Sequence, residues 1–186
     1  MKKIRIIISI VFCLLAVMAV AEDKPPITIP TYPGAQVMME INMNNDDLAT
    51  LLPMFIQGAG DMAAGVNEDD ISDVLKDVTR VEYLSLESSK PGVDLAKLVS
   101  FYNQKIPAGR WNKVFYMKSK EGQIISVFAQ SDMAELYGYR MRTVKVDGKS
   151  VNKMDVARIE GQIDFQKLMK IAGPIIAKSQ GAPAKK

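Results

Sequence analysis

Residues 136–156 read LYGYRMRTVKVDGKSVNKMDV, and the Asp147-Gly148 pair inside them is what a two-residue hairpin turn asks for, because both turn positions take positive φ. A turn there sets Met141 opposite Met154 and Tyr139 opposite Val156 on one face, and Arg140 opposite Asp155 and Val144 opposite Val151 on the other. One apolar and one polar face emerge from a single register. A slip of one residue would exchange them, so the pattern selects this pairing.

Working outward, the stretch from Trp111 predicts another hairpin. A turn at Glu121-Gly122 sets Val114 opposite Ala129, Phe115 opposite Phe128 and Tyr116 opposite Val127. Before it, Gly92 and Asp94 introduce a helix that turns Leu95, Leu98, Val99 and Tyr102 inward and ends at Ile106-Pro107. Arg80 to Leu86 reads as a strand. A helix starts near Asn67, with Glu68, Asp69 and Asp70 in its first turn and Ile71, Val74, Leu75 and Val78 on one face. Val37 to Met43 carries Met or Ile on both faces and reads as a central strand. Asn44 or Asn45 then caps a helix bearing Leu48, Leu51, Leu52 and Phe55, which Pro53 kinks. At the other end Asp164 caps a helix with Phe165, Leu168, Met169 and Ala172 inward, closed by Gly173-Pro174.

These elements predict the α+β class: a single domain with a largely antiparallel sheet, four hairpin-connected strands toward the C-terminus, and helices packed on one face. The expected layout is a signal peptide at 1–21, a Pro-rich linker or edge segment at 22–34 with a turn at Pro33-Gly34, the α+β domain at 35–174, and a flexible polar tail at 175–186.

The signal peptide follows from Lys2, Lys3 and Arg5 ahead of an apolar run from Ile6 to Val17, and from the small residues of Ala19-Val20-Ala21. Cleavage between Ala21 and Glu22 and export to the periplasm are expected. The chain has no His, and Cys13, its one cysteine, lies inside the signal. Imidazole or thiolate nucleophilic machinery, His- or Cys-ligated zinc and structural disulfides are therefore excluded from the exported protein. Carboxylate-pair hydrolysis, Ser-Lys hydrolysis and oxygen-ligated cation sites survive.

The three signal cations account for the whole formal charge of +3. Beneath the neutrality of the remainder lies an asymmetry: residues 22–95 carry 14 acidic and 4 basic side chains, whereas residues 96–186 carry 7 acidic and 17 basic. Either the halves neutralise one another by packing, or they polarise the surface toward an anionic partner. On the second reading the outward hairpin face supplies the site, with Arg140, Arg142 and Lys153 on the strands and Lys149 at the turn.

Two other constellations carry less. Gly58-Ala59-Gly60-Asp61-Met62-Ala63 has dinucleotide-loop spacing with Glu82 downstream, but Pro53 interrupts the strand such a loop must follow, and the glycines read as a helix connection. Glu68, Asp69, Asp70 and Asp73 lack the spacing of a calcium loop and sit at a helix N-terminus, which repels cations. No metal and no cofactor are expected.

The stretch from Ile71 to Ile171 resembles the exported bacterial family known as domain of unknown function 4252. The likeness rests on Val81-Glu82-Tyr83-Leu84-Ser85-Leu86, Leu95 and Leu98, Val114-Phe115-Tyr116, Ile124-Ile125-Ser126-Val127, and Ile159-Glu160-Gly161-Gln162-Ile163-Asp164-Phe165. It implies export and a small α+β domain, and it brings no catalytic residues.

The expectation from these readings is a non-catalytic binding or scaffolding module of the cell envelope. Its partner would be an envelope protein or an anionic surface, with no nucleic acid. A carboxylate-dependent hydrolase and a binder of anionic membrane surfaces stand as alternatives. Mass spectrometry of the exported protein is expected to find Glu22 as the first residue; an intact Met1, or a lipid on Cys13, would overturn the signal reading.

Overall fold

A strand whose odd and even positions are both apolar must be covered on both faces, and Tyr83, Leu84 and Leu86 put this chain in that class. The computed structural model describes residues 26–48, 50, 68–90, 93–105, 110–119, 122–164 and 166–167. Its elements are β1 (Gln36–Asn44), α1 (Glu68–Leu75), β2 (Val78–Ser88), α2 (Leu95–Lys105), β3 (Trp111–Lys118), β4 (Ile124–Gln130), β5 (Glu135–Val146) and β6 (Lys149–Gly161). All six strands join one antiparallel sheet in the order β1-β2-β6-β5-β4-β3. The proposed signal, the Gly58–Ala63 loop, Ile106-Pro107, the last helix beyond 167 and the tail lie outside the described residues. Among those described, no helix is long and apolar enough to cross a membrane.

The expected α+β class with helices on one face is corrected: the described chain is predominantly a single antiparallel sheet, and its helical segments lie on both sides of it. The reason is the burial pattern. On the first face Leu84, Leu86, Tyr139, Met141, Met154 and Val156 are covered by Leu98 and Tyr102 of α2 and by Ile29 of the segment before β1. On the second, Ile41, Met43, Val81, Tyr83, Leu136 and Ala157 pack with Leu48, Ile163 and the half-buried Leu75 of α1. Neither apolar layer could be left to water, so cover had to be divided between them.

The β5–β6 hairpin has the register read from its turn. Asp147 and Gly148 have φ of 50° and 76°, Met141 faces Met154, Tyr139 faces Val156, Arg140 faces Asp155 and Val144 faces Val151. The β3–β4 hairpin does not. Lys118 pairs with Ile124, so Phe115 pairs with Val127 and Tyr116 with Ser126. A bulge between Lys113 and Phe115 then brings Asn112 opposite Ala129. The central position expected for β1 is also corrected: β6 takes the other side of β2, leaving β1 at the edge with only Ile41 and Met43 buried.

Helix starts follow local chemistry. Asn44 and Asp47 form a reciprocal cap, with Asp47 N donating to Asn44 Oδ1 at 2.9 Å and Asn44 N to Asp47 Oδ2 at 3.0 Å. Asp94 accepts from Lys97 N at 2.8 Å, and Asp164 from Lys167 N at 2.9 Å.

Gly161 closes the sheet where β6 ends against the start of β2. Its φ is 124°, and a Cβ there would stand 2.2 Å from the Asp77 carbonyl oxygen and 2.7 Å from Val78 Cα. Backbone cannot yield to that approach as a flexible side chain could. Gly161→Ala is therefore expected to cost about 2 kcal/mol or more in urea denaturation. Gly138→Ala, whose Cβ would meet its nearest neighbours at 3.5 and 3.6 Å, is expected to cost below about 1 kcal/mol. Equal midpoints for the two variants would refute this account of the β2–β6 closure.

Candidate functional site

The hairpin register puts Arg140, Arg142, Lys149 and Lys153 on the second face of the sheet. It does not make them one open cationic surface. Arg140 is only 4% exposed and is held by Asp155, with Nε donating to Oδ2 at 2.7 Å and Nη2 at 2.5 Å from the same oxygen. Asp155 Oδ1 also accepts from Tyr83 Oη at 2.9 Å and from Ser85 Oγ at 3.0 Å. A buried charge is tolerable on such terms, with a counter-charge and its remaining lone pairs satisfied. Burial, followed by the charge of Asp155, pushes the Tyr83 hydroxyl above its ordinary range, so it stays a donor. Lys153 is bound to Glu87 of β2, an acid from the acidic half. Arg142 is half-buried, and Lys149 alone of the four is exposed.

Of the acids singled out on α1, the side chains of Asp69, Asp70 and Asp73 are among those described, and that of Glu68 is not. Asp73 binds Lys76 at 2.9 Å and Lys167, and these two cations lower its carboxyl to about 2. Asp69 and Asp70 are exposed. No cluster of three potential metal ligands occurs among the described residues.

A different group assembles on the first face, toward the end of the sheet where β2 and β5 begin and β6 ends. Arg158 faces Glu82 across β2–β6 and Tyr137 across β5–β6, while Glu135 faces Glu160 one step along. The Arg158 guanidinium binds Glu135 through Nε, Glu160 through Nη1 at 3.0 Å, and Thr28 Oγ1. Burial pulls that guanidinium downward, but the Glu135 hydrogen bond and the charges of Glu135, Glu160 and Glu82 outweigh it and hold Arg158 above its ordinary value.

Beside it Glu82 is fully buried. It accepts from Thr28 N at 3.1 and 3.2 Å and from Thr28 Oγ1 at 2.8 Å, and pairs with Arg80 at 2.7 Å. Arg80 in turn donates to the Pro26 carbonyl at 2.9 Å and to Asn42 at 3.1 Å. The segment before β1 is thereby fastened onto the sheet by charge-assisted hydrogen bonds.

The outer side of this cluster opens into a groove of about 930 Å³ lined by Lys76, Asp77, Glu135, Arg158, Glu160 and Gln162. Chemically it offers carboxylate and amide acceptors with two cations among them. A carboxylate pair working as acid and base needs its members in unlike surroundings. Glu135 and Glu160 instead share one guanidinium. Sequence reasoning did not single out Arg158, Glu135, Glu160 or Thr28 as site residues, and it weighed Glu82 only as the acid downstream of the Gly58–Ala63 loop. Part of the signal was present, since the Asp147-Gly148 register extended to its end places Glu135 opposite Glu160. No family model, no curated protein and no solved structure matches the chain.

The Asp155 arrangement makes a measurable demand. Asp155→Asn leaves Arg140 buried without its counter-charge and is expected to cost about 3 to 5 kcal/mol. Lys153→Gln removes a partly exposed pair and is expected to cost below about 1 kcal/mol. Denaturant midpoints that rank the two the other way would show that Arg140 is not held by Asp155.

Proposed function

We propose that the chain is a non-catalytic binding module of the cell envelope, exported through its N-terminal signal, whose groove at the end of the sheet receives a polar, mixed-charge segment of another envelope protein. The observation that carries this reading is the clamp on Arg158: the two groove carboxylates at the ends of β5 and β6 are held as acceptors on one guanidinium. Groups so engaged position hydrogen-bond acceptors rather than shuttle protons. Around them Lys76, Asp77 and Gln162 are exposed along the groove and supply charge and amide contacts of both polarities. A partner with alternating donors and acceptors matches such a lining better than a polyanion does, because Arg140 and Lys153 already have carboxylate partners on the other face.

The reading is tested by photo-crosslinking in the envelope from a probe at Gln162, with Lys76→Ala as the companion variant. Lys76 is exposed, so its loss is expected to leave stability within about 0.5 kcal/mol while weakening capture several-fold. Capture that is unaffected by Lys76→Ala, or equally strong from a probe at Lys149, would overturn the groove as the binding site. Oligosaccharide cleavage that vanishes with Glu160→Gln would instead favour the carboxylate hydrolase.

A further inference from the structure

The two edges of the sheet are treated differently by the sequence. Edge β3 has the exposed lysines Lys113 and Lys118, with a bulge beside Lys113 inside the strand. Lysines and bulges are how natural sheets stop other strands from adding to an edge. Edge β1, QVMMEINMN, has no lysine and no proline, and Glu40 is its single charge. Its one bulge, between Val37 and Met39, lies at its start, and from Met39 to Asn44 the ladder with β2 is uninterrupted. Val37 and Met38 are 43% and 51% exposed. A long, nearly uncharged edge is a template for strand addition.

We infer that β1 pairs antiparallel with β1 of a second copy of this chain, joining two six-stranded sheets edge to edge about a two-fold axis. The geometry restricts the register. Beyond the bulge, from Met39 to Asn44, outward-pointing backbone groups fall on alternate residues, so two copies related by a two-fold can bond there only in registers whose paired residue numbers have an even sum. Centring the axis on Glu40 opposes two carboxylates. Centring it on Asn42 leaves only residues 40–44 to pair within the strand.

Centring it on Ile41 pairs 39–43, brings the bulge residue Met38 opposite Asn44, and is chemically self-complementary. Ile41 meets Ile41 and Met39 meets Met43 on the second face, while Glu40 meets Asn42 on the first, with no like charges opposed. The axis is normal to the sheet, so each face of one copy continues into the same face of the other. The groove occupant plays no part in this contact, and the inference stands or falls independently of the proposed function.

The test is the mass of the purified chain, as the expressing cell leaves it, measured by sedimentation over a roughly hundredfold range of concentration. A monomer that converts to a dimer is expected. Asn42→Glu keeps an acceptor for Arg80 but sets a second carboxylate opposite Glu40 at two places, and is expected to weaken the dimer roughly tenfold or more.

Mixing Asn42→Glu with Glu40→Lys opposes unlike charges and is expected to restore association between the two variants. Met38→Lys, an exposed edge lysine of the kind β3 carries, is expected to weaken the dimer without touching the core, and it decides the matter if Asn42→Glu fails to fold. A parent chain that stays monomeric throughout would overturn the pairing. So would a dimer that a folded Asn42→Glu variant and Met38→Lys leave unchanged.

Discussion

The reversal at Asp147-Gly148 allows β5 and β6 a single alignment, and much of the polar chemistry of the sheet follows from it. A two-residue turn with both φ positive leaves no residue to spare, so every pair along the hairpin is determined by the first. Arg140 comes to Asp155 for that reason, and Glu135 comes to Glu160. A slip of β6 by one residue would turn Met154 and Val156 away from Tyr139 and Met141 and leave Arg140 without its carboxylate. The apolar pattern and the buried ion pair therefore enforce the same register from opposite faces.

The two charged clusters differ in what they hold together. Asp155 gathers donors from β2 and β5 around a residue of β6, and so joins the three central strands through side chains as well as backbone. Such an arrangement costs desolvation, which the extra hydroxyl donors help to offset. Glu82 and Arg158 instead attach a segment that belongs to no strand. Thr28 is gripped from both sides, and with it Ile29 is brought into the buried cluster that holds Leu84 and Tyr102. That clip and α2 together form the cover of the first face.

The charge asymmetry of the sequence is resolved in mixed fashion. Lys153 with Glu87 does pair the basic half with the acidic one, and Lys167 with Asp73 does so again. Arg140 with Asp155 and Arg158 with Glu135 and Glu160 are pairs within the basic half. Antiparallel neighbours bring residues distant in sequence side by side, so a charge ledger by halves does not foretell which acid meets which base.

What the sequence determined by itself was local. The hairpin register followed from Asp147-Gly148, helix starts from Asn44, Asp94 and Asp164, and the exclusion of imidazole chemistry from the absence of His. Each depends on residues near one another or on composition alone. The tertiary structure decided the strand order, and with it the edge position of β1, the division of cover between two faces and the meeting of Glu82 with Arg158. Thr28 reaches Glu82 across 54 residues and Arg158 across 130. No short-range periodicity encodes such contacts, because they exist only once β6 has entered between β2 and β5 and closed both faces against water.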